Sequence, residues 1–229
     1  MIFETSICAT DKKLANFTKY VRRQNLARFL AQTEIFKLQL QVKGSVLECG
    51  VHHGGGIMAW AKLSTTLEPY NYHRKIIGFD TFEGFPHVAP IDVLHRPDVK
   101  KGMFSEEYNI YDELTLCIHE YDENRFLNHI SKIELVKGDA NLTIPKYLIA
   151  NPHLIVSLLY LDFDVYEPTV NALKTLLPRM PKGAVLAFDE INNQDWPGET
   201  MALLEELNIR DCELRCFEYE PNISYMIIK

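Results

Sequence analysis

Short apolar runs alternate along this chain with longer stretches in which apolar residues recur every three or four positions. The apolar runs predict buried strands over residues 45–51, 75–80, 132–139, 154–162 and 183–190. The helical spacing predicts helices over residues 12–42, 57–67, 106–128, 168–177 and 198–207. Two further apolar segments flank Pro221 and Asn222, and this arrangement predicts a hairpin.

Strands that alternate with helices predict a parallel sheet covered by helices on both faces. We therefore expect a doubly wound α/β fold. Its sheet should be seven-stranded and mostly parallel, with an antiparallel C-terminal hairpin strand, and N-terminal helices should accompany it. The 229 residues suffice for a single domain over residues 1–229, in which residues 1–44 form a helical extension. In such folds ligands bind at the carboxyl ends of the strands.

Residues 82–105 contain several prolines and glycines and predict neither a helix nor a strand. An irregular segment of this length in a compact domain is usually functional or mobile. We interpret it as a substrate lid. The alternative is a disordered surface insertion.

Composition and charge narrow the range of partners. The net charge of −7 argues against nonspecific binding to nucleic acid or to an anionic membrane. No apolar run is long enough for a signal peptide or a membrane span. The five cysteines show no zinc-like pairing and suggest reduced thiols, so we expect a cytoplasmic protein.

Acidic residues stand at the end of each predicted strand. They are Glu48, Asp80, Asp139, the pair Asp162 and Asp164, and the pair Asp189 and Glu190. A single acid of this kind can simply cap the helix that follows. A whole group on one edge of a sheet is harder to explain in this way, because unpaired carboxylates repel one another. A bound ligand and a cation would relieve that repulsion.

The stretch ECGVHHGGG places glycines between a strand and a helix, as nucleotide-binding loops do. It contains neither the P-loop sequence nor the G-x-G-x-x-G fingerprint. Glu48 suits an ammonium or sulfonium group better than a pyrophosphate. Asp80 follows at about the distance expected of a ribose-binding acid. These features together favour S-adenosylmethionine, a nucleoside that carries positive charge and no phosphate.

Five stretches of the chain resemble one enzyme family. They are LECGVHHGGG, IIGFDTFEGFP, VKGDA, LYLDFDVYEPTVNAL and GAVLAFDE. In this order they resemble the macrocin O-methyltransferase family of sugar O-methyltransferases, which are Rossmann-type S-adenosylmethionine-dependent methyltransferases. The similar region runs from about residue 45 to residue 195.

The resemblance implies a set of cofactor-binding residues: Glu48, Gly50, Gly54, Asp80, Thr81, Gly138, Asp139, Ala140 and Asp162. It also implies a divalent cation, usually Mg²⁺, held by Asp162 or Asp164 together with Asp189 and Glu190. The family usually has two aspartates after the fifth strand, so Glu190 departs from its pattern. Asp162 and Asp164 are the candidate catalytic residues, and the sequence does not divide the roles of base and metal ligand between them.

The function that we expect is metal-dependent methyl transfer from S-adenosylmethionine to a hydroxyl of a sugar, of a sugar-containing metabolite or of a glycan. A metal lowers the pKa of such a hydroxyl, and a carboxylate accepts its proton. Three alternatives stay open: a catechol-type O-methyltransferase, a metal-dependent glycosyltransferase with a D-x-D motif, and a binding protein without activity.

The sequence leaves two interpretations open for the role of several further side chains. His52 or His53 could face the cofactor or the solvent, and Trp196 or Tyr166 could stack on a sugar or simply pack. We expect the apolar stripe of the N-terminal helices to serve the core or to support a homo-oligomer.

Overall fold

The computed structural model describes residues 2–229. Its seven strands form one sheet in the order β3-β2-β1-β4-β5-β7-β6. The strands are β1 (Ser45–Cys49), β2 (Ile76–Asp80), β3 (Ile133–Lys137), β4 (Val156–Leu161), β5 (Val185–Phe188), β6 (Arg215–Phe217) and β7 (Glu220–Ile227). Strands β1 to β5 pair in parallel, and β7 runs antiparallel to both β5 and β6. The predicted fold class is confirmed.

Eight α-helices accompany the sheet: α1 (Ile2–Thr5), α2 (Thr10–Ala15), α3 (Arg23–Leu38), α4 (Gly55–Leu67), α5 (Ile110–Glu123), α6 (Ala140–Ala150), α7 (Tyr166–Leu176) and α8 (Gly198–Glu206). Short 3₁₀ turns cover Phe17–Lys19, Leu177–Arg179 and Ile209–Asp211. Helices α3 to α5 share one apolar core with the sheet, and α6 to α8 share the other. None of the helices within residues 2–229 is long and apolar enough to span a membrane.

The structure corrects two of the predicted elements and contains a helix that was not predicted. The helix expected over residues 12–42 is divided into α2, a 3₁₀ turn and α3. Helix α6 was not predicted, because Pro145 in its middle is a residue that normally ends helices. The final turn lies at residues 218–219, and Pro221 is inside β7. An irregular register there pairs Phe217 with Glu220 and leaves Pro221 outside the regular ladder.

The three central strands bring their carboxyl ends together. The backbone N–H of Asp162 donates to Cys49 O at 2.8 Å, and that of Asp189 donates to Leu161 O at 3.0 Å. At Gly50 the backbone has a φ of +91°, and an added Cβ would lie 1.9 Å from Asp162 O. Only glycine allows β1 and β4 to approach each other this closely.

The segment from residue 82 to residue 105 has no helix or strand, yet it is packed. Phe85 and Val99 belong to the apolar core. The buried carboxylate of Asp92 accepts from Ala89 N at 2.8 Å and from Tyr166 N at 2.9 Å, which ties the segment to the start of α7. This packing disagrees with a disordered insertion, and the role of the segment as a lid stays a prediction.

Arg74 connects the loops at the amino ends of the strands, opposite the carboxyl ends described above. Its buried guanidinium donates to Gly44 O at 2.8 Å and to Val42 O at 3.0 Å, and it pairs with Glu68 at 2.7 Å. These contacts join the loop before β1 to the loop before β2. One buried cation therefore fixes the loops at the amino ends of β1 and β2.

We predict that Arg74→Met lowers the free energy of unfolding by about 3–5 kcal/mol, because the nearly buried carboxylate of Glu68 loses its cationic partner and keeps only the hydrogen bonds from Ser64 and Asn71. Urea unfolding measures the loss. The exposed Arg210→Met is the matched control and should change stability by about 0.5 kcal/mol or less. Equal losses in the two variants would contradict this role of Arg74.

Candidate active site

A cavity of about 320 Å³ opens at the carboxyl ends of the central strands. Nine of the residues predicted for the site line it: Glu48, Gly50, Asp80, Thr81, Gly138, Asp139, Ala140, Asp162 and Asp164. Gly54, Asp189 and Glu190 do not line it. The fold therefore gathers side chains and backbone from four strand ends around one space.

Two glycines shape the loop between β1 and α4. Gly54 precedes the helix with a φ of +83°, and an added Cβ there would lie 2.4 Å from Leu114 Cδ1. At Gly56 an added Cβ would lie 2.1 Å from Glu48 Oε1. Gly56 thus allows the first turn of α4 to lie directly on the Glu48 carboxyl group, and Gly54 allows α5 to approach the loop. The contact of Gly54 with the cofactor stays a prediction.

Glu48 is a buried acid at the floor of the cavity. The residue is 2% exposed, and its Oε2 has no hydrogen-bond partner. Burial raises the pKa of its carboxyl group from 4.5 to about 8, although Arg28 nearby acts in the opposite direction. An unpartnered buried carboxyl group is costly. A cationic ligand in the cavity would remove that cost.

Asp80 organises the glycine loop through its carboxylate. One oxygen accepts from Val51 N at 2.6 Å and from His52 N at 2.8 Å, and the other accepts from Phe82 N at 2.6 Å. Each carboxylate oxygen can accept more than one hydrogen bond. The predicted contact with a ribose is thus compatible with these bonds, and the structure adds a role in holding the loop.

Helix capping explains one of the acids at the strand ends. Asp139 is the N-cap of α6 and accepts from Asn141 N at 2.9 Å. Helices α4, α7 and α8 begin after Gly54, Val165 and Pro197, none of which makes a side-chain cap. The other acids at the strand ends are therefore not caps.

Arg28 on α3 bridges the acids of β4 and β5. Its Nη2 lies 2.7 Å from Asp162 Oδ2, and its Nη1 lies 2.6 Å from Asp189 Oδ1. The buried Tyr160 hydroxyl donates to the same Asp189 oxygen at 2.6 Å. The apolar pattern of this helix predicts a core or oligomer contact and does not indicate a role for Arg28. A basic residue among the alanines on its packed face, Ala27 and Ala31, is the feature that could have revealed it.

The acids around Arg28 raise one another's pKa. Burial raises the pKa of Asp164 to about 7, with contributions from Glu190 and Asp189 that exceed the opposing effect of Arg28. Burial is also the main cause that raises the pKa of Asp162 and of Glu190. One guanidinium therefore does not offset the burial and the mutual repulsion of these acids.

Glu199 adds another carboxyl group that the sequence did not suggest. It is fully buried and accepts from Asp189 N at 3.2 Å and from Glu190 N at 3.0 Å. Burial, followed by the charge of Asp189, raises its pKa well above the ordinary value. Glu199 thus orients the backbone that carries the last two predicted metal ligands.

The predicted metal ligands fit a divalent cation in chemistry, because Mg²⁺ prefers carboxylate oxygens. They are not gathered around one point. Within residues 2–229, no three of these acids bring oxygens within 4.8 Å of one another; the group that meets this distance is His52, His53 and Glu106, all exposed. Arg28 stands between Asp162 and Asp189, and Glu190 accepts a hydrogen bond from Asn193 instead.

Aromatic residues form the outer side of the cavity. Phe85 and Phe104 line it, with ring centroids 5.3 Å apart. Trp196 packs 5.8 Å from Phe104, and the Arg96 guanidinium lies 4.9 Å from the centre of the Trp196 ring. Trp196 therefore has packing partners in the structure, and its contact with a sugar stays a prediction. Tyr166 donates its hydroxyl hydrogen bond to Glu205, away from the cavity.

Comparison with known proteins identifies the family of this chain. The family model described as macrocin-O-methyltransferase (TylF) matches residues 11–204. No protein with a curated description matches the sequence.

Solved structures resemble the whole chain. CalS11, a calicheamicin methyltransferase, is 32% identical with a TM-score of 0.94, covering 99% of this chain and 88% of that chain. An apo structure of CalS11, described as a TDP-rhamnose 3'-O-methyltransferase of calicheamicin biosynthesis, is 30% identical with a TM-score of 0.85, covering 99% and 89%. The O-methyltransferase NovP, at 19% identity and a TM-score of 0.67 over 89% and 80% of the chains, shares the fold.

The family match spans most of the chain and includes every predicted site residue. It decides between methyl transfer and glycosyl transfer in favour of methyl transfer. The protein is an O-methyltransferase enzyme, and the chain belongs to the macrocin O-methyltransferase family.

Proposed function

We propose that this enzyme transfers the methyl group of S-adenosylmethionine to a hydroxyl of a sugar that is part of a small molecule. The observation that carries the proposal is the buried Glu48 carboxyl group, whose Oε2 has no hydrogen-bond partner, at the floor of a cavity beneath a glycine loop. The positive charges of S-adenosylmethionine supply what this acid lacks. The likeness to CalS11, described as acting on TDP-rhamnose, supports a sugar acceptor.

The cofactor occupies the part of the cavity between the glycine loop and β3 in this proposal. Glu48 faces its ammonium or sulfonium group, and Gly50 lets the backbone approach closely. Asp80 and Thr81 lie at the end of β2, where the ribose is expected. Gly138, Asp139 and Ala140 border the opposite end, where the adenine is expected.

Asp164 is the proposed base. It lines the cavity and has a φ of +62°, an unusual conformation for a residue other than glycine. Gly198 packs against its backbone, because an added Cβ there would lie 2.7 Å from Asp164 O. The sugar oxygen attacks the methyl carbon, the carbon–sulfur bond breaks, and the hydroxyl proton passes to Asp164. The products are a methyl ether and S-adenosylhomocysteine.

Asp162 and Asp189, together with Asp164 or Glu190, are the residues that would hold a divalent cation. Such an ion, when bound, lowers the pKa of a coordinated hydroxyl. The excess of carboxyl groups over guanidinium at this edge supports the proposal. In this proposal the packed aromatic residues Phe85, Phe104 and Trp196 position the acceptor.

The direct test is a mass-spectrometric assay with S-adenosylmethionine and three acceptor classes: TDP-linked deoxysugars, free glycans and catechols. We expect one added methyl on a sugar acceptor and none on a catechol. Methylation of catechols alone would overturn the sugar assignment, and lack of S-adenosylmethionine binding would overturn the proposal as a whole.

Asp164→Asn should lower kcat by roughly 100- to 10,000-fold, because an amide cannot accept the hydroxyl proton. Binding of S-adenosylmethionine, followed by calorimetry, should change little. Asp211→Asn, an exposed residue distant from the cavity, is the control and should keep full activity. Full activity of Asp164→Asn would remove this residue from the mechanism.

Glu48→Gln should weaken binding of S-adenosylmethionine and change the pH dependence of stability. The carboxyl group has a pKa of about 8 in the folded protein against 4.5 ordinarily. A raised folded-state pKa gives stability that is lost as the pH rises from about 4.5 through about 8. The glutamine variant lacks this loss, so without cofactor it should gain roughly 2–5 kcal/mol over the wild type between pH 4 and pH 9.

Urea unfolding at several pH values measures this gain. Glu83→Gln is the matched control, since Glu83 is exposed and pairs with Lys137 on the surface. Its stability should follow that of the wild type at every pH. A Glu48→Gln profile parallel to the wild type would show that the carboxyl group is not held protonated in the folded protein.

A further inference from the structure

Arg28 stands where the proposed metal would bind. Its two terminal nitrogens each contact one oxygen of a different carboxylate, Asp162 at 2.7 Å and Asp189 at 2.6 Å. A guanidinium that binds one acid as a fork uses both oxygens of that acid. Here the guanidinium instead links the ends of β4 and β5, as a shared cation between two ligands does.

The environment keeps Arg28 charged and in place. A guanidinium stays protonated in proteins, and two ion pairs hold this one between Asp162 and Asp189. Its helix, α3, is anchored by Ala31 and Ile35 in the core. The guanidinium therefore acts as the cation of the site when nothing else is bound.

The guanidinium can also leave. The Arg28 side chain is 36% exposed, so part of it already faces the open cavity, whose wall it forms. A single positive charge is shared by the carboxyl groups of Asp162 and Asp189, and Asp164 and Glu190 follow them at the ends of the same two strands. An ion of charge two balances more of this negative charge than Arg28 does.

We propose that Arg28 is an internal counter-cation that competes with a divalent metal ion for Asp162 and Asp189. In the metal-free protein it bridges the two acids and holds them in position, and metal entry requires its guanidinium to move aside. This inference rests on the metal site of the proposed function. Arg28 is thus a positioning residue, and it sets the apparent metal affinity.

Calorimetric titration with Mn²⁺ and with Mg²⁺, without cofactor or acceptor, tests the competition. When a site is open for only a fraction of the time, its apparent affinity for the ligand is the intrinsic affinity multiplied by that fraction. Arg28→Met should therefore bind Mn²⁺ at least about 10-fold more tightly than the wild type. Arg23→Met, on the exposed first turn of the same helix, is the control and should leave the affinity unchanged.

Thermal unfolding gives a second readout. Without metal, Arg28→Met should melt below the wild type, because two buried acids lose their partner, and Mn²⁺ should restore more stability to it than to the wild type. If Arg28→Met does not fold without metal, Arg28→Lys serves instead. A lysine has no planar fork to bridge two acids, so this variant should also bind Mn²⁺ more tightly than the wild type.

Equal Mn²⁺ affinity in the wild type and both variants would overturn the competition. Absence of metal binding in all of them would overturn it as well. An assay of methyl transfer in excess chelator then shows whether the failure concerns only the competition by Arg28 or also the metal-dependent function. Wild-type activity that persists under chelator would show methyl transfer without a metal, with Arg28 as the permanent cation. Activity lost under chelator would keep the metal-dependent function and reject only the role of Arg28.

Discussion

The structure depends on the cost of placing several carboxyl groups at one edge of a sheet with little water around them. Buried carboxylates repel one another and lose their hydration, so each needs a proton, a hydrogen-bond donor or a cation. The site uses all three. Glu48 has a raised pKa, Asp80 accepts three backbone N–H groups, and Asp162 and Asp189 share the guanidinium of Arg28.

This concentration of acid is consistent with a cofactor that carries positive charge. A sheet edge built for phosphate would present backbone N–H groups and basic side chains. Here the glycine loop presents its N–H groups to Asp80, and the buried acid Glu48 lies directly beneath the first turn of α4. In the proposed function, a sulfonium and an ammonium bound in this place would relieve the cost of burying Glu48. The same edge would then offer Asp164 to the hydroxyl that accepts the methyl group.

Much of the fold and of the site follows from local patterns in the sequence. The five parallel strands consist mainly of apolar residues. A parallel sheet necessarily gathers their carboxyl ends, so the acids at those ends could be placed together. Helix α6 was missed because Pro145 contradicts local helix rules that the surrounding packing overrides. Arg28, Tyr160 and Glu199 were missed for another reason. Their importance arises from contacts between residues distant along the chain, such as Arg28 with Asp189, which no local period encodes.

The most direct test of this account is a crystal structure with S-adenosylhomocysteine and Mn²⁺, in which anomalous scattering locates the metal. We predict the cofactor between the glycine loop and β3 with its amino group beside Glu48. We also predict a manganese peak between Asp162 and Asp189, with the Arg28 guanidinium moved from its present position. A cavity without cofactor and an arginine that still bridges the two acids, with no metal peak, would contradict the account.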